Sequence, residues 1–136
     1  MSKPTIPVAC AIIERGGLIL AVQRKAGEHL SLKWEFPGGK IEMGESPEQC
    51  IVREIWEELD LDIGIISEGP EIQHEYSGAI ILMKSFRCQI LDGIITLNEH
   101  ENFTWLKPAE LNTLDWAEAD VPIVRWIEKQ TLSEGQ

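Results

Sequence analysis

Hydrophobic and polar positions alternate with different periods along this chain, and each change of period marks an element. Pro7 to Glu14 (PVACAIIE) and Leu18 to Arg24 (LILAVQR) are β-type runs joined at Arg15-Gly16-Gly17, which predicts a hairpin. Residues 25–33 are polar and read as a loop, and Trp34–Phe36 as a short strand. After Ser46 the period becomes helical: Val52, Ile55 and Leu59 fall at i, i+3 and i+7 and predict a buried stripe. Ser46 suits the N-cap, Pro47 the first helical position, and Gln49 completes a capping box. Residues 62–75 read as one or two weaker strands broken by Gly64 and Gly69-Pro70. Ala79–Leu91 is a long strand and Phe103–Leu106 a shorter one. Pro108 opens a helical turn, and residues 120–130 form a second amphipathic helix. Strands interleaved with two main helices predict an α/β sandwich, with no repeat or interdomain linker.

The chemistry concentrates between residues 39 and 61. Glu42, Glu45, Glu54, Glu57 and Glu58 crowd one loop and the helix after it. Glu54, Glu57 and Glu58 stand at i, i+3 and i+4 and share a face beside the apolar stripe. Arg53 can pair with Glu57 one turn on, but a single cation does not balance the set. Taken alone, such a helix is most simply a solvated acidic face. The loop before it, Trp34-Glu35-Phe36-Pro37-Gly38-Gly39, changes that judgment, because the glycine pair lets the backbone approach a ligand closely. Oxygen ligands at this density suit a hard divalent cation and, with it, phosphate chemistry.

The pattern Gly39-x5-Glu45-x7-Arg53-Glu54-x2-Glu57-Glu58 resembles the Nudix box at every position except a late glycine, where Asp60 stands. The longer run EFPGGKIEMGE is similar to the MutT-type branch, the nucleoside triphosphate pyrophosphohydrolases. This resemblance implies a Nudix fold, a mixed β-sheet between helices, with residues 1–136 forming one Nudix hydrolase domain. The family's glycine ends the helix in a left-handed conformation; Asp tolerates that conformation at roughly 1 kcal/mol. The substitution bears on the helix end rather than on the acids.

Composition narrows the class. A net charge of −11 argues against nucleic-acid binding but is compatible with a polyphosphate bridged by metal ions. No apolar run approaches 18 residues, and the N-terminus lacks a signal-peptide core, so neither a membrane nor export is expected. Cys10, Cys50 and Cys88 stand singly in apolar stretches, which suggests reduced thiols and a cytoplasmic setting. A monomer or a homodimer is equally compatible with the sequence.

The resemblance assigns roles one residue at a time. It implies Glu54, Glu57 and Glu58 as ligands of Mg2+ or Mn2+, with the Gly38 carbonyl as a further ligand and Arg53 supporting the glutamates. Glu45 orients the set from behind. Glu99, in Asn98-Glu99-His100-Glu101, is either a ligand or the base that takes a proton from water, or else part of an ordinary polar turn. Arg24 and His29 are expected to contact the polyphosphate, with Lys84 as a substitute cation. Glu35, Phe36, Pro37 and Gly38 form one wall, with Trp34 or Tyr76 as further stacking surfaces. Asp120 falls where MutT-type enzymes read the base edge, and it can also be the N-cap of the last helix. As an ionised, acceptor-only carboxylate it favours bases that offer donors, guanine or cytosine.

The implied activity is metal-dependent hydrolysis of a nucleoside or deoxynucleoside triphosphate to monophosphate and pyrophosphate, on 8-oxo-dGTP or cytidine nucleotides. Rival readings are a Nudix hydrolase of another diphosphate such as ADP-ribose, and a non-catalytic nucleotide-binding module.

Overall fold

The computed structural model describes residues 3–134; Met1 and Ser2, part of the N-terminal stretch read above for an export signal, lie outside them. Strand β1 (Thr5–Arg15) turns into β2 (Leu18–Gln23) through Gly16 and Gly17, whose φ values of 59° and 80° are those a tight two-residue hairpin demands. Short strands β3 (Trp34–Glu35) and β4 (Gly38–Lys40) flank Phe36-Pro37. Helix α1 spans Pro47–Leu59, β5 Asp62–Tyr76, β6 Ala79–Asp92, β7 Asn102–Leu106 and helix α2 Val121–Glu134. Between β7 and α2 the chain makes two 3-10 turns, Pro108–Thr113 and Glu118–Asp120.

The sheet is mixed and runs in the order β3-β2-β1-β6-β5. β1 and β6 are parallel, from Thr5 against Ile80 to Glu14 against Gln89. The other pairings are antiparallel, with β4 paired to β1 at Val8–Cys10 and β7 to β2. Strand alternation gives each face its own core. Ala9, Ala11, Ile13, Leu20 and Val22 face α1, while Cys10, Ile12, Ile19 and Ala21 face α2 and the 3-10 turn at Leu111. The expected sandwich is therefore present, a mixed sheet with a helix packed on each face.

Three local expectations change. Residues 62–76 form one continuous strand, because the break at Gly69-Pro70 is absorbed as register shifts against β6. A Cβ at Gly69 would stand 2.6 Å from Ser85 Oγ, and that hydroxyl donates to the Pro70 carbonyl. On α1 the buried positions are Cys50, Ile51, Ile55, Glu58 and Leu59, and Val52 is exposed. The stripe keeps Ile55 and Leu59 as expected but begins at Ile51 rather than Val52, one i, i+4 turn before Ile55 against the sheet. Gly38-Gly39, read from the sequence as the end of a loop, belongs to strand β4, and its backbone pairs with Ala9 and Cys10.

Candidate active site

The glutamate loop is held by its own side chains before any ligand is considered. Ser46 Oγ accepts the Gln49 N–H and the Gln49 side chain accepts the Ser46 N–H, the capping box read from the sequence. Arg53 then gathers the acids around it. Its guanidinium forks onto Glu45 at 2.7 and 2.9 Å and donates to Glu54 at 2.9 Å, Glu57 at 3.2 Å and the Lys40 carbonyl at 3.3 Å. The expected Arg53–Glu57 pair is thus one arm of a hub. The Arg53 fork and the Glu42 N–H hold Glu45 far down, to about 2, and Arg53 is itself held firmly protonated, chiefly by Glu45. Burial raises Glu54 despite its bond to Arg53.

Glycine is required where these acids meet the loop. A Cβ on Gly39 would lie 2.5 Å from Glu54 Oε2, and one on Gly38 would enter the β1 backbone at Ala9 and Cys10. The Gly38 N–H instead donates to Glu58 Oε1 at 3.2 Å. That bond is weak compensation for a carboxyl that is 2% exposed. Burial, and then the facing carboxylates Glu35, Glu54 and Glu99, push Glu58 up to about 9.

Glu99 reaches this group through the far end of α1. Asp60 takes the left-handed conformation (φ 59°, ψ 29°) expected of the family's glycine, and closes the helix by donating its N–H to the Trp56 carbonyl. It also adds what glycine lacks. The Asp60 carboxylate accepts from Asn98 Nδ2 at 2.9 Å, the same amide donates to the Glu57 carbonyl, and the Asn98 N–H donates to the Glu58 carbonyl. The loop bearing Glu99 is thereby fastened to the helix.

Two cavities share this region. A polar one of about 330 Å³ is lined by Gly38, Glu58, Asn98, Glu99 and His100 together with Arg24, Lys25, Glu28 and Glu35. A more apolar one of about 290 Å³ has Phe36, Met83, Tyr76 and Asp120 in its walls, with His29 at its edge. Arg24, Glu35 and Gly38 belong to both. Arg24 donates to Glu35 at 3.2 Å and to the His29 carbonyl at 2.7 Å, so it is already aimed along the junction. Phe36 is buried and stacks on Trp116 at 4.7 Å.

Strand β3 also carries the base-side turn. The Trp34 N–H donates to the Asp115 carbonyl and the Ala117 N–H to the Trp34 carbonyl, which lays 115–120 alongside Glu35 and Phe36. Asp120 is 5% exposed, ends the second 3-10 turn, and makes no capping bond to α2. Burial, then the Glu35 charge, raise its pKa well above the carboxylate range, and Arg24 only partly offsets this. Burial and the Glu35 charge thus favour the protonated form of Asp120, which donates as well as accepts, over the acceptor-only carboxylate.

Other expected contacts fall outside these cavities. Pro37 is buried and lines neither, its carbonyl accepting the Ala11 N–H. Lys84 faces Glu68 at 3.7 Å and also lines neither. Glu54 and Glu57 point to Arg53, so among the described residues no three acidic groups converge at metal-ligand distance. Two residues were missed. Lys25 supplies a second cation beside Arg24 in the polar cavity, and its only sequence signal is that adjacency. His100 is 7% exposed, with Nε2 2.9 Å from Glu35 Oε2 and a buried Nδ1 that has no partner among the described residues. No spacing rule could have joined His100 to Glu35.

A model of the NUDIX domain matches residues 3–127. This chain belongs to the NUDIX family. It is 38% identical over 119 residues to a CTP pyrophosphohydrolase of Escherichia coli (strain K12), covering 88% of each chain. It is 42% identical over 136 aligned positions to an 8-oxo-dGTP diphosphatase of Haemophilus influenzae, covering 96% of this chain and 97% of the relative. The solution structure of the E. coli ORF135 protein superposes with a TM-score of 0.83 at 34% identity, covering 96% of this chain and 94% of the other. With such relatives the Nudix domain described here is a hydrolase acting on phosphoric anhydride bonds.

Proposed function

We propose that this Nudix hydrolase cleaves nucleoside or deoxynucleoside triphosphates to monophosphate and pyrophosphate with the help of Mg2+ or Mn2+. The observation that carries the reading is the pair of joined cavities. One is polar and acid-lined, of a size for a metal-bridged polyphosphate, and the other is walled by apolar side chains with one buried acid. Their junction at Arg24 and Glu35 is where the sugar and first phosphate would pass.

The residues present fit a divalent cation. Glu58 is a buried carboxyl with a single backbone donor and three acidic neighbours, an arrangement a hard cation would relieve. Glu58, Glu54, Glu57, Glu99 and the Gly38 carbonyl would hold it. When bound it supplies charge to the phosphoryl oxygens and lowers the pKa of water. Arg53 holds Glu45, Glu54 and Glu57 in place, so these carboxylates are ready to turn toward the cavity. Arg24 and Lys25 neutralise phosphate oxygens, Arg24 in the planar fork suited to them. His29 stands at the mouth, beside the loop that Arg24 ties down. Glu99, exposed on its anchored loop, is the group best able to take a proton from the attacking water.

Phe36, backed by Trp116, forms the apolar wall beside the base, and Asp120 reads the base edge. In its protonated form, which burial favours, Asp120 can donate to N3 and accept from the N4 amine of cytosine, or donate to O6 and accept from N1–H of guanine. The two named relatives act on these two base classes.

The test is incubation with Mg2+ and CTP, dCTP, 5-methyl-dCTP, dGTP, 8-oxo-dGTP and ADP-ribose, separating the products by chromatography. Monophosphate with pyrophosphate from one base class is expected. Cleavage of ADP-ribose alone would replace the triphosphate reading, and binding without any cleavage would leave a nucleotide-binding module.

A further inference from the structure

Tyr76 ends β5 at the tip of its hairpin with β6, far in sequence from the Nudix box. Three segments around the apolar cavity meet on its side chain. Its phenol oxygen accepts the Ala119 N–H at 3.1 Å, the peptide next to Asp120. Its ring stands edge-on to His29 of the 25–33 loop, with centroids 5.9 Å apart at 79°. It also stands edge-on to His74 at 4.6 Å and 66°, and His74 Nε2 lies 3.2 Å from Glu118 Oε2 on the same turn as Asp120. The hairpin tip, the His29 loop and the Asp120 turn are thus tied together at the mouth of the cavity.

The phenol uses only part of its capacity there. It accepts one bond, and its own proton meets no acceptor among the described residues. A half-buried tyrosine hydroxyl ordinarily donates as well as accepts. Burial, together with Asp120, Glu118 and Glu35 nearby, holds that proton on the oxygen. Tyr76 and Asp120 line the same cavity. We propose that Tyr76 determines base specificity: its hydroxyl donates to a carbonyl oxygen of the base read by Asp120, while its lone pair, taken by Ala119, fixes that turn. The ligand class is a nucleotide whose base carries a carbonyl, such as cytosine, guanine or 8-oxoguanine, in preference to adenine, which has none. This rests on the nucleotide reading above.

The test compares wild type with Tyr76→Phe, which keeps the ring contacts and removes only the hydroxyl. Metal-free binding of CMP, GMP, 8-oxo-dGMP and AMP is followed by tryptophan fluorescence, since Trp116 backs Phe36 in the cavity wall. The expected result is a roughly 3- to 10-fold loss of affinity for the preferred carbonyl-bearing nucleotide with AMP changed less than twofold. In turnover of the matching triphosphate the loss should fall on KM rather than kcat, with a melting temperature only modestly lowered by loss of the Ala119 bond. Equal losses for all four nucleotides would reduce Tyr76 to a structural tether and overturn the proposal. No loss for any of them would also overturn it. If wild type binds nucleotides but cleaves none, the hydrolase reading fails while the affinity ratios still decide Tyr76. If wild type binds none, the cavity is not a base site and the proposal falls with it.

Discussion

The acids around Arg53 and the acids facing the cavities come from one chain of similar residues, yet they sit in opposite electrostatic worlds. Glu45 is gripped by a guanidinium fork at the surface and is held near 2. Glu58, from the same motif, is buried among other carboxylates and pushed to about 9, and Asp120 behaves likewise across the Glu35 wall. Arg53 thus gives Glu45 a charged partner within the chain. Glu58 and Asp120 are left uncompensated where a cation and a base would dock. Structural acids are paired within the chain, and ligand-facing acids wait for a partner from outside.

The sharpest way to break this contrast is Glu58→Gln. It should lose more than about 100-fold in turnover, since even outer partners of a metal site are worth roughly 10- to 100-fold. The metal-free variant should still melt at or above the wild-type temperature, because a buried neutral amide replaces a carboxyl that is hard to ionise. Near-wild-type rates in a Mg2+ titration would sink the metal assignment.

Arg53→Ala attacks the other half. Three glutamates lose their shared cation, so we expect roughly 10- to 100-fold lower activity, a higher Mg2+ requirement and a lower melting temperature. Unchanged Mg2+ dependence would mean that Arg53 does not organise the ligands.

The pH dependence separates the two groups by sign. The folded pKa of Glu58 lies above its unfolded value of about 4.3, so between about 4.3 and about 9 the folded state binds the extra proton. Stability of the metal-free protein should therefore fall as pH rises through that window, and Mg2+ should raise the melting temperature more at pH near 9 than near 6. Glu58→Gln should flatten the slope, leaving the part that Asp120 contributes in the same direction. Glu45 has the opposite sign: its contribution is complete above about 4.3 and disappears as pH falls through about 2. A thermal melt series across pH, with and without Mg2+, checks both.

Asp120→Asn should have a smaller effect. The amide keeps one donor and one acceptor, as the neutral acid does, so turnover on the preferred base should change only several-fold. Any rise of KM at alkaline pH should vanish in the variant. A collapse of activity on every base would show that Asp120 acts as a carboxylate. Asp60→Gly should be the mildest change, since the left-handed strain is relieved by roughly 1 kcal/mol while the Asn98 anchor is lost. A few-fold loss of activity with little change in melting temperature is expected, and an unaltered rate would detach Asp60 from the placing of Glu99.

Much of this was legible locally. The hairpin at Gly16-Gly17, the capping box at Ser46-Gln49 and the left-handed Asp60 follow from backbone preferences that a few adjacent residues settle. The box pattern located the glutamates because a helix fixes the spacing of its own face. What the sequence could not reveal was which acids would be neutralised. Glu54, Glu57 and Glu58 share one side of the helix with Glu58 nearest the apolar stripe, but only the fold turns Glu58 under the Gly38 backbone while its neighbours reach Arg53. The charge state of Asp120, the His100–Glu35 contact and the Tyr76–Ala119 bond depend on segments brought together by strand pairing and by the Trp34 link to Asp115 and Ala117. Short-range preferences determine which residues form each element. The protonation of a carboxyl depends on the solvent it loses and the charges it meets, and only the folded arrangement of distant segments decides those.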